Sequence, residues 1–231
     1  PKKTDNIIEI GPGLGALTQQ LLPQLSCLSV IELDKDLIPL LEEKCRHLGK
    51  LIVYQGDALK FNFKSLSKAN GLWRLVGNLP YNISTPLLFH CLDQASAIQD
   101  MHFMLQKEVV DRLNAQPGQA SYGRLSVMIQ YYCGVEKLFN VKPGAFQPPP
   151  KVDSAVVRLI PYKELPYKAN DPLLFAEIVR IAFSQRRKML RNNLANLLQA
   201  EDFEQLNIDP RQRPEQLFVS DYVNLANFLT K

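Results

Sequence analysis

Cysteine and histidine are scarce in this 231-residue chain, at four and three residues, and they are scattered. Cys27, Cys45, Cys91 and Cys133 form no Cys-x-x-Cys pair, and His47, His90 and His102 stand apart from them and from one another. That spacing argues against a zinc ribbon, against any other metal site and against a disulfide framework. No apolar run approaches the roughly 18 residues that would span a bilayer, and no signal peptide precedes the first motif. The chain therefore reads as a soluble, cytoplasmic protein of a reducing compartment with no membrane partner. Solenoid-scale repeats and low-complexity tracts are missing too. Nor does one sign of charge dominate: 27 Lys and Arg face 23 Asp and Glu, a net charge of +4. This balance permits an anionic partner without requiring one.

What is present is enough apolar sequence, 46% against 22% charged, to bury a sizeable core. In the first half short apolar runs alternate with amphipathic stretches. The runs at 6–10, 28–33, 51–54, 74–76 and 101–105 read as strands. The pattern predicts helices at 14–22 and 36–47 and after the fourth and fifth runs. Strand–helix alternation implies an α/β fold with a parallel, Rossmann-like sheet covered by helices on both faces. Segments 135–141 and 155–160 read as a terminal strand pair around a proline-rich corner at 142–151. After Pro161 the composition shifts. A proline-containing linker at 161–172 precedes helical spacing at 173–183, 189–198 and 219–229. Two domains are expected, at 1–162 and 163–231, the second small and all-helical.

Three carboxylates fall near the ends of the first three strands. Glu9-Ile10-Gly11-Pro12-Gly13-Leu14-Gly15 lies between a strand and a helix, where glycines let the chain turn sharply and let a ligand approach the backbone. Alone, such a turn is equally well explained as a tight βα loop. Glu32, roughly 20 residues beyond Gly11, stands where a carboxylate accepts both hydroxyls of a ribose and repels a 2′-phosphate. Asp57, with Ala58 beside it, follows the third strand and could accept from an adenine amine. It could equally serve as a helix N-cap or turn aspartate. An adenosine-containing ligand is the simplest joint explanation of Glu9, Glu32 and Asp57. A fourth feature, Asn78-Leu79-Pro80-Tyr81, follows the fourth strand.

With that motif the sequence resembles the class I S-adenosylmethionine-dependent methyltransferases that act on the exocyclic amine of adenine. Asn78 to Pro86 and Phe146-Gln147-Pro148-Pro149-Pro150-Lys151-Val152-Asp153-Ser154-Ala155 are similar to the ribosomal RNA adenine N6,N6-dimethyltransferase family. The stretches 101–108 and Tyr122-Gly123-Arg124-Leu125-Ser126 fit its KsgA branch, and the likeness runs over nearly the whole chain. The resemblance implies that Asn78 and the Leu79 carbonyl accept hydrogen bonds from the target amine, that Pro80 stiffens the turn, and that Tyr81 stacks on an extruded base. It places Phe146 on the base's other face, although Phe146 could simply anchor the proline-rich loop. It implies that S-adenosylmethionine, leaving as S-adenosylhomocysteine, is held by Glu9, Gly11, Gly13, Gly15, Glu32, Asp57, Ala58 and Asn78. The implied substrate is a pair of adjacent adenosines near the 3′ end of small-subunit ribosomal RNA, within an assembling small ribosomal subunit, and the implied enzyme is a monomer. Asn82-Ile83-Ser84 matches a glycosylation sequon by chance, and Ser84 is expected to cap the helix that begins near Pro86.

Arg186, Arg187, Lys188 and Arg191 form an acid-free basic segment. A helix would put Arg187 and Arg191 on one face, as an RNA phosphate contact or as a solvated surface. The family normally carries a basic segment with a Gln-Asn-Phe-type motif upstream of the first strand. The sequence starts a few residues before that strand, so a fragment without the segment is expected. Three rival functions stay open: an NAD-linked oxidoreductase, a DNA adenine N6-methyltransferase and a non-catalytic ribosome-assembly factor.

Overall fold

The structure, a computed structural model, describes residues 1–230, and at 67–70 the backbone alone. In chain order the elements are β1 (Ile7–Ile10), α1 (Thr18–Leu21), β2 (Leu28–Glu32), α2 (Ile38–Cys45), β3 (Leu51–Gln55), α3 (Phe63–Asn70), β4 (Trp73–Asn78), α4 (Ser84–Leu92), β5 (Ile98–Gln106), α5 (Lys107–Asn114), α6 (Arg124–Tyr132), β6 (Cys133–Val141), β7 (Ser154–Pro161), α7 (Pro172–Ala182), α8 (Leu190–Asn193), α9 (Ala200–Gln205) and α10 (Val219–Leu229). The seven strands form one sheet in the order β3-β2-β1-β4-β5-β7-β6. The first five pair in parallel, and β7 runs antiparallel to β5. Every residue of β1 and β2 is buried, which is why Ile-Ile-Glu-Ile and Leu-Ser-Val-Ile-Glu read as continuous rather than alternating apolar runs. Ile7, Leu28 and Val30 pack with Leu22 between the strands and with Leu41 and Cys45 of α2.

Strand order steps outward from β1 to β3 and then restarts on β1's other side with β4. Neighbouring strands β1 and β4 thus send their connections in opposite directions, which opens a crevice at their carboxyl ends. Two glycines fix the local geometry there. Gly15 holds φ 83°, a left-handed backbone that residues with a side chain rarely adopt, and a Cβ there would press on the tip of Leu41 in α2, 2.7 Å from its Cδ1. Gly77, in β4, would put a Cβ 2.7 Å from the Ile10 carbonyl oxygen, so its absence of side chain sets the approach of β4 to β1.

The first helix is shorter than its apolar spacing predicts. Gly11, Gly13 and Gly15 all have positive φ, and Gly15 N donates to Pro12 O in a turn, so helical geometry starts only at Thr18 rather than at Leu14. Ser84 does not cap α4 as expected. It lies inside the first turn, and its hydroxyl donates 3.1 Å to the Tyr81 carbonyl.

The chain divides into two compact units, Pro1–Val110 with Glu136–Pro161, and Asp111–Val135 with Tyr162–Lys231, of which Lys231 itself lies outside the described residues. The expected division at residue 162 thus lacked an exchange: segment 111–135 belongs with the helical unit. Helix α6 is the cause. It buries Val127, Met128, Ile129 and Tyr131, and the Tyr131 ring lies 4.3 Å from that of Phe175 on α7. The Tyr131 hydroxyl also accepts from Ala169 N at 3.2 Å. In the same unit α7 starts as its sequence dictates, with Asp171 accepting from Leu173 N and Leu174 N, and Pro172 at the first helical position. Segment 189–198 departs from expectation, with only Leu190–Asn193 helical. Met189 is extended, and Leu190 N and Arg191 N donate across to Gln212 O and Pro210 O instead of continuing a helix from 185.

Candidate active site

Three parallel strand ends supply the polar groups of the sheet unit's crevice. Glu32 closes β2. Its Oε2 accepts from Gly13 N at 3.1 Å and its Oε1 from Asp34 N at 2.9 Å. The carboxylate is therefore locked against the glycine turn, with its remaining lone pairs directed outside those two bonds. Asp57, one strand over, has one oxygen on Leu59 N at 2.9 Å, so it does cap the turn that Ala58 begins. Gly56 N donates to Glu32 O, which ties the β3 end to the β2 end. Asn78 is the exposed last residue of β4, paired in register with Met104. Leu79 is buried, and its N–H donates 3.1 Å to Met104 O, which fixes the peptide carrying the Leu79–Pro80 turn.

Glu9 is the odd member. It sits inside β1 rather than at its end, is 2% exposed, and accepts 2.7 Å from the Thr18 hydroxyl. Burial pushes its carboxyl up to about 7, the Thr18 bond opposes the shift, and the charge of Glu32 adds to it.

Two cavities collect these residues. The larger, about 630 Å³, is lined by Glu9, Gly11, Gly13, Asn78 and Phe146, with His102 and Met104 of β5 and Phe139 and Val141 of β6. The smaller, about 280 Å³, lies among Asn78, Leu79, Pro80, Tyr81 and Phe146, with Pro148 and Pro150. Asn78 and Phe146 line both. Phe146, some 70 residues downstream of the Asn78 motif, is thus brought to it. Tyr81 leaves 43% of its surface in water, available for contact. Gly15, Glu32, Asp57 and Ala58 line neither cavity. Glu32 reaches the larger one through its bond to Gly13, whereas Gly15 serves packing on α2.

Sequence reasoning missed His102, Met104 and Phe139. The two-residue period of β5 puts His102 and Met104 on the face that carries Val76 and Asn78 of β4, and that alternation was the available signal. Burial pulls the His102 imidazole below its ordinary value, although Asp100 stands 3.7 Å away. Among the described residues no three His, Cys, Asp or Glu side chains gather as a metal-binding set.

In the helical unit the basic segment divides. Arg186, itself exposed, folds back on its own unit, donating to the Ala120 carbonyl and, at 2.9 Å, to the Tyr122 carbonyl. Arg187 lies in a turn and Arg191 in the short helix α8, so the shared helix face expected for them does not form. Arg187, Lys188 and Arg191 are exposed.

All 231 residues match the family model described as ribosomal RNA adenine dimethylase. The chain belongs to that family. Its members' chemistry makes it an S-adenosylmethionine-dependent adenine dimethyltransferase of ribosomal RNA. A Pseudomonas aeruginosa protein named ribosomal RNA small subunit methyltransferase A is 58% identical over 230 residues, covering 100% of this chain and 86% of that protein. A Marinomonas sp. (strain MWYL1) protein of the same name is 56% identical over 231 residues, 100% of this chain and 87% of its own. Among solved structures, a dimethyladenosine transferase from Plasmodium falciparum superposes with a TM-score of 0.80 at 28% identity, covering 97% of this chain and 89% of that one. The 23S rRNA methyltransferase ErmE gives 0.75 at 22% identity over 100% and 93%, a likeness of fold.

The adenine dimethylase crevice fits its cofactor on its own geometry. Where a Cβ would stand at Gly11 or Gly13 nothing lies within 4 Å, so the turn leaves room for a ligand at its backbone. The Glu32 carboxylate is held at the second strand's end, beside that turn. No helix among the described residues is long and apolar enough to cross a membrane.

Proposed function

We propose that this chain methylates N6 of two adjacent adenosines near the 3′ end of 16S ribosomal RNA, acting as a cytoplasmic monomer on an assembling small ribosomal subunit. The observation that carries this reading is the cavity in which Asn78, Leu79, Pro80 and Tyr81 face Phe146, with Asn78 also lining the larger cavity beside Gly11 and Gly13. A base held in the smaller cavity presents its amine toward the larger one at Asn78.

The chemistry asks little more of the protein than position. An adenine amine is a poor nucleophile because its lone pair is delocalised into the ring. Acceptors on its two hydrogens favour the pyramidal nitrogen that attacks, and the Asn78 side-chain oxygen and Leu79 carbonyl are the acceptors at hand. Leu79 keeps its orientation through its bond to Met104 O, and Pro80 restricts the next φ. Tyr81 and Phe146 cover the base's faces, excluding water and holding the ring in plane. When bound, the cofactor supplies a methyl group already activated as a sulfonium, so no strong base is required. Glu32 binds the ribose hydroxyls, Asp57 and Ala58 the adenine edge, and Gly11, Gly13 and Glu9 border the methionine portion. Arg187, Lys188 and Arg191 meet RNA phosphates, with Arg186 tying their loop to the carbonyls of residues 120 and 122.

The test is methyl transfer to undermethylated small subunits, with the products digested to nucleosides. N6,N6-dimethyladenosine from the 3′ region is the expected product. Methylation of duplex DNA adenines with none on the subunit would replace this reading with the DNA methyltransferase alternative.

A further inference from the structure

The helical unit has a cavity of about 500 Å³ that the methyl-transfer chemistry does not use. The sequence marks it in an unusual way: the tripeptide Pro-Tyr-Lys occurs twice within eight residues, as Pro161-Tyr162-Lys163 and Pro166-Tyr167-Lys168. Both tyrosines line the cavity, and Phe218, just before α10, lines it as well. These rings leave 38%, 50% and 61% of their surface in water. Single exposed aromatics are ordinary, but three converging on one concave site are the pattern of a ligand wall.

Deeper in the wall stands Tyr122, fully buried, with a hydroxyl that has no hydrogen-bond partner. Removing such a group from water without a partner is costly, and a ligand edge that reaches it recovers the loss. The charges around the cavity select the kind of ligand. Asp221 bears on the Tyr122 phenol, and Glu215 and Asp221 both bear on the neighbouring Tyr222 phenol, raising each beyond what burial alone does. No charged side chain lines the cavity itself, so a phosphate inside would meet no counter-charge. Lys163 and Lys168, by contrast, are exposed beside the two rim tyrosines and outnumber the one exposed acid of that stretch, Glu164. Aromatic rings interleaved with lysines, neutral within and cationic outside, suit a single-stranded nucleic acid whose base enters while its phosphates stay out.

We propose that this cavity takes an unpaired base of the RNA substrate, stacked on Tyr162 and Tyr167, with Lys163 and Lys168 on the flanking phosphates. The proposal rests on the reading of the chain as an enzyme of ribosomal RNA and adds a second base-reading site to it. It also explains why aromatic residues line a linker that could have been merely polar.

The test compares the whole chain with its Tyr162→Leu/Tyr167→Leu variant. The probes are a short single-stranded oligoribonucleotide and the same strand with abasic positions, with binding read by fluorescence anisotropy. The parent should prefer the base-bearing strand by about tenfold or more, and in the variant that preference should fall several-fold, to what Tyr81 and Phe146 supply, with the abasic strand bound as before. Tyr162→Phe/Tyr167→Phe keeps the rings and should retain the preference. Equal binding of both strands by the parent, or a preference unchanged in the leucine variant, overturns the proposal. If the leucine pair fails to fold, Tyr167→Leu alone, at the half-exposed rim, decides the question by the same readout. Methyl transfer by the parent to small subunits is measured alongside. Its failure counts against the enzyme reading, whereas success with an unchanged preference in the leucine variant counts against the cavity alone.

Discussion

In the sheet unit Glu32, Asn78 and the glycine turn stand where parallel strands stop, and backbone bonds hold each of them: Gly13 N and Asp34 N on Glu32, and Leu79 N on Met104 O. In the helical unit backbone bonds also tie the basic segment, Leu190 N to Gln212 O and Arg191 N to Pro210 O, but side chains add further ties of their own. Arg186 spends its guanidinium on two carbonyls, and Asn193 Nδ2 reaches Ala182 O at 2.6 Å and Gln185 O at 3.2 Å. One region inherits its geometry from topology, and the other makes it residue by residue. A functional group on a strand end can therefore change chemistry without moving its neighbours, whereas in the basic loop the residue that shapes the surface and those that display charge are adjacent in sequence.

The sharpest way to break this contrast is Asn78→Ala. If Asn78 is a functional tip on a frame built by others, turnover should fall roughly 10²-fold or more while affinity for S-adenosylhomocysteine stays within a few-fold. Steady-state kinetics beside calorimetry checks this, and a parallel fall in both would make Asn78 part of the cofactor frame.

Glu9 tests the frame itself. Its folded carboxyl lies near 7, above its ordinary value of 4.5, so the folded state holds a proton that the unfolded chain has released. Stability from this group is present below the unfolded value and is lost as pH rises from about 4.5 to about 7, on the order of 3 kcal/mol in all. Denaturant titrations across that window should show the decline, and Glu9→Gln should flatten it.

Glu32→Ala should weaken S-adenosylhomocysteine binding by about 1.5–3 kcal/mol, the range for a hydrogen bond to a charged group. Equal affinity by calorimetry would remove Glu32 from the site. The smallest effects separate the neighbouring arginines. Arg186→Ala should cost about 1 kcal/mol of stability, since two carbonyls lose a charged donor at an exposed site. Arg187→Gln with Arg191→Gln should leave the melting temperature alone and flatten the salt dependence of subunit binding by roughly one to two units in the log–log slope. A salt titration of that pair that overlays the parent would mean a solvated surface.

How far the sequence carried differs between the same two regions. Strand positions were legible because parallel, doubly covered strands are written as apolar runs, and Asn78 and Glu32 were legible because each ends one. The convergence of Phe146 on Asn78 was legible only through the family resemblance. The start of α1 was not, because three positive-φ glycines override a helical apolar spacing. Segment 189–198 has that spacing too, yet its backbone amides bond across to residues 210–212, a partnership between distant segments that no local pattern encodes. Arg186 reads in sequence like Arg187, and only the nearby carbonyls of residues 120 and 122 tell them apart. Segment 111–135 followed the strands in sequence, but Tyr131 found its ring partner more than forty positions later.

The interleaving of the two units along the chain also sets an order in time. As the protein emerges from the ribosome, the sheet unit has all its strands once Pro161 is out. By then Tyr131 has been out for some thirty residues of synthesis without Phe175, the ring that covers it. At roughly 5–20 residues per second, α6 waits several seconds with Val127, Met128 and Ile129 uncovered. Those residues are the part of a nascent chain that a chaperone would be expected to hold, and that a slow codon placed just before the start of α7 would leave at risk the longest.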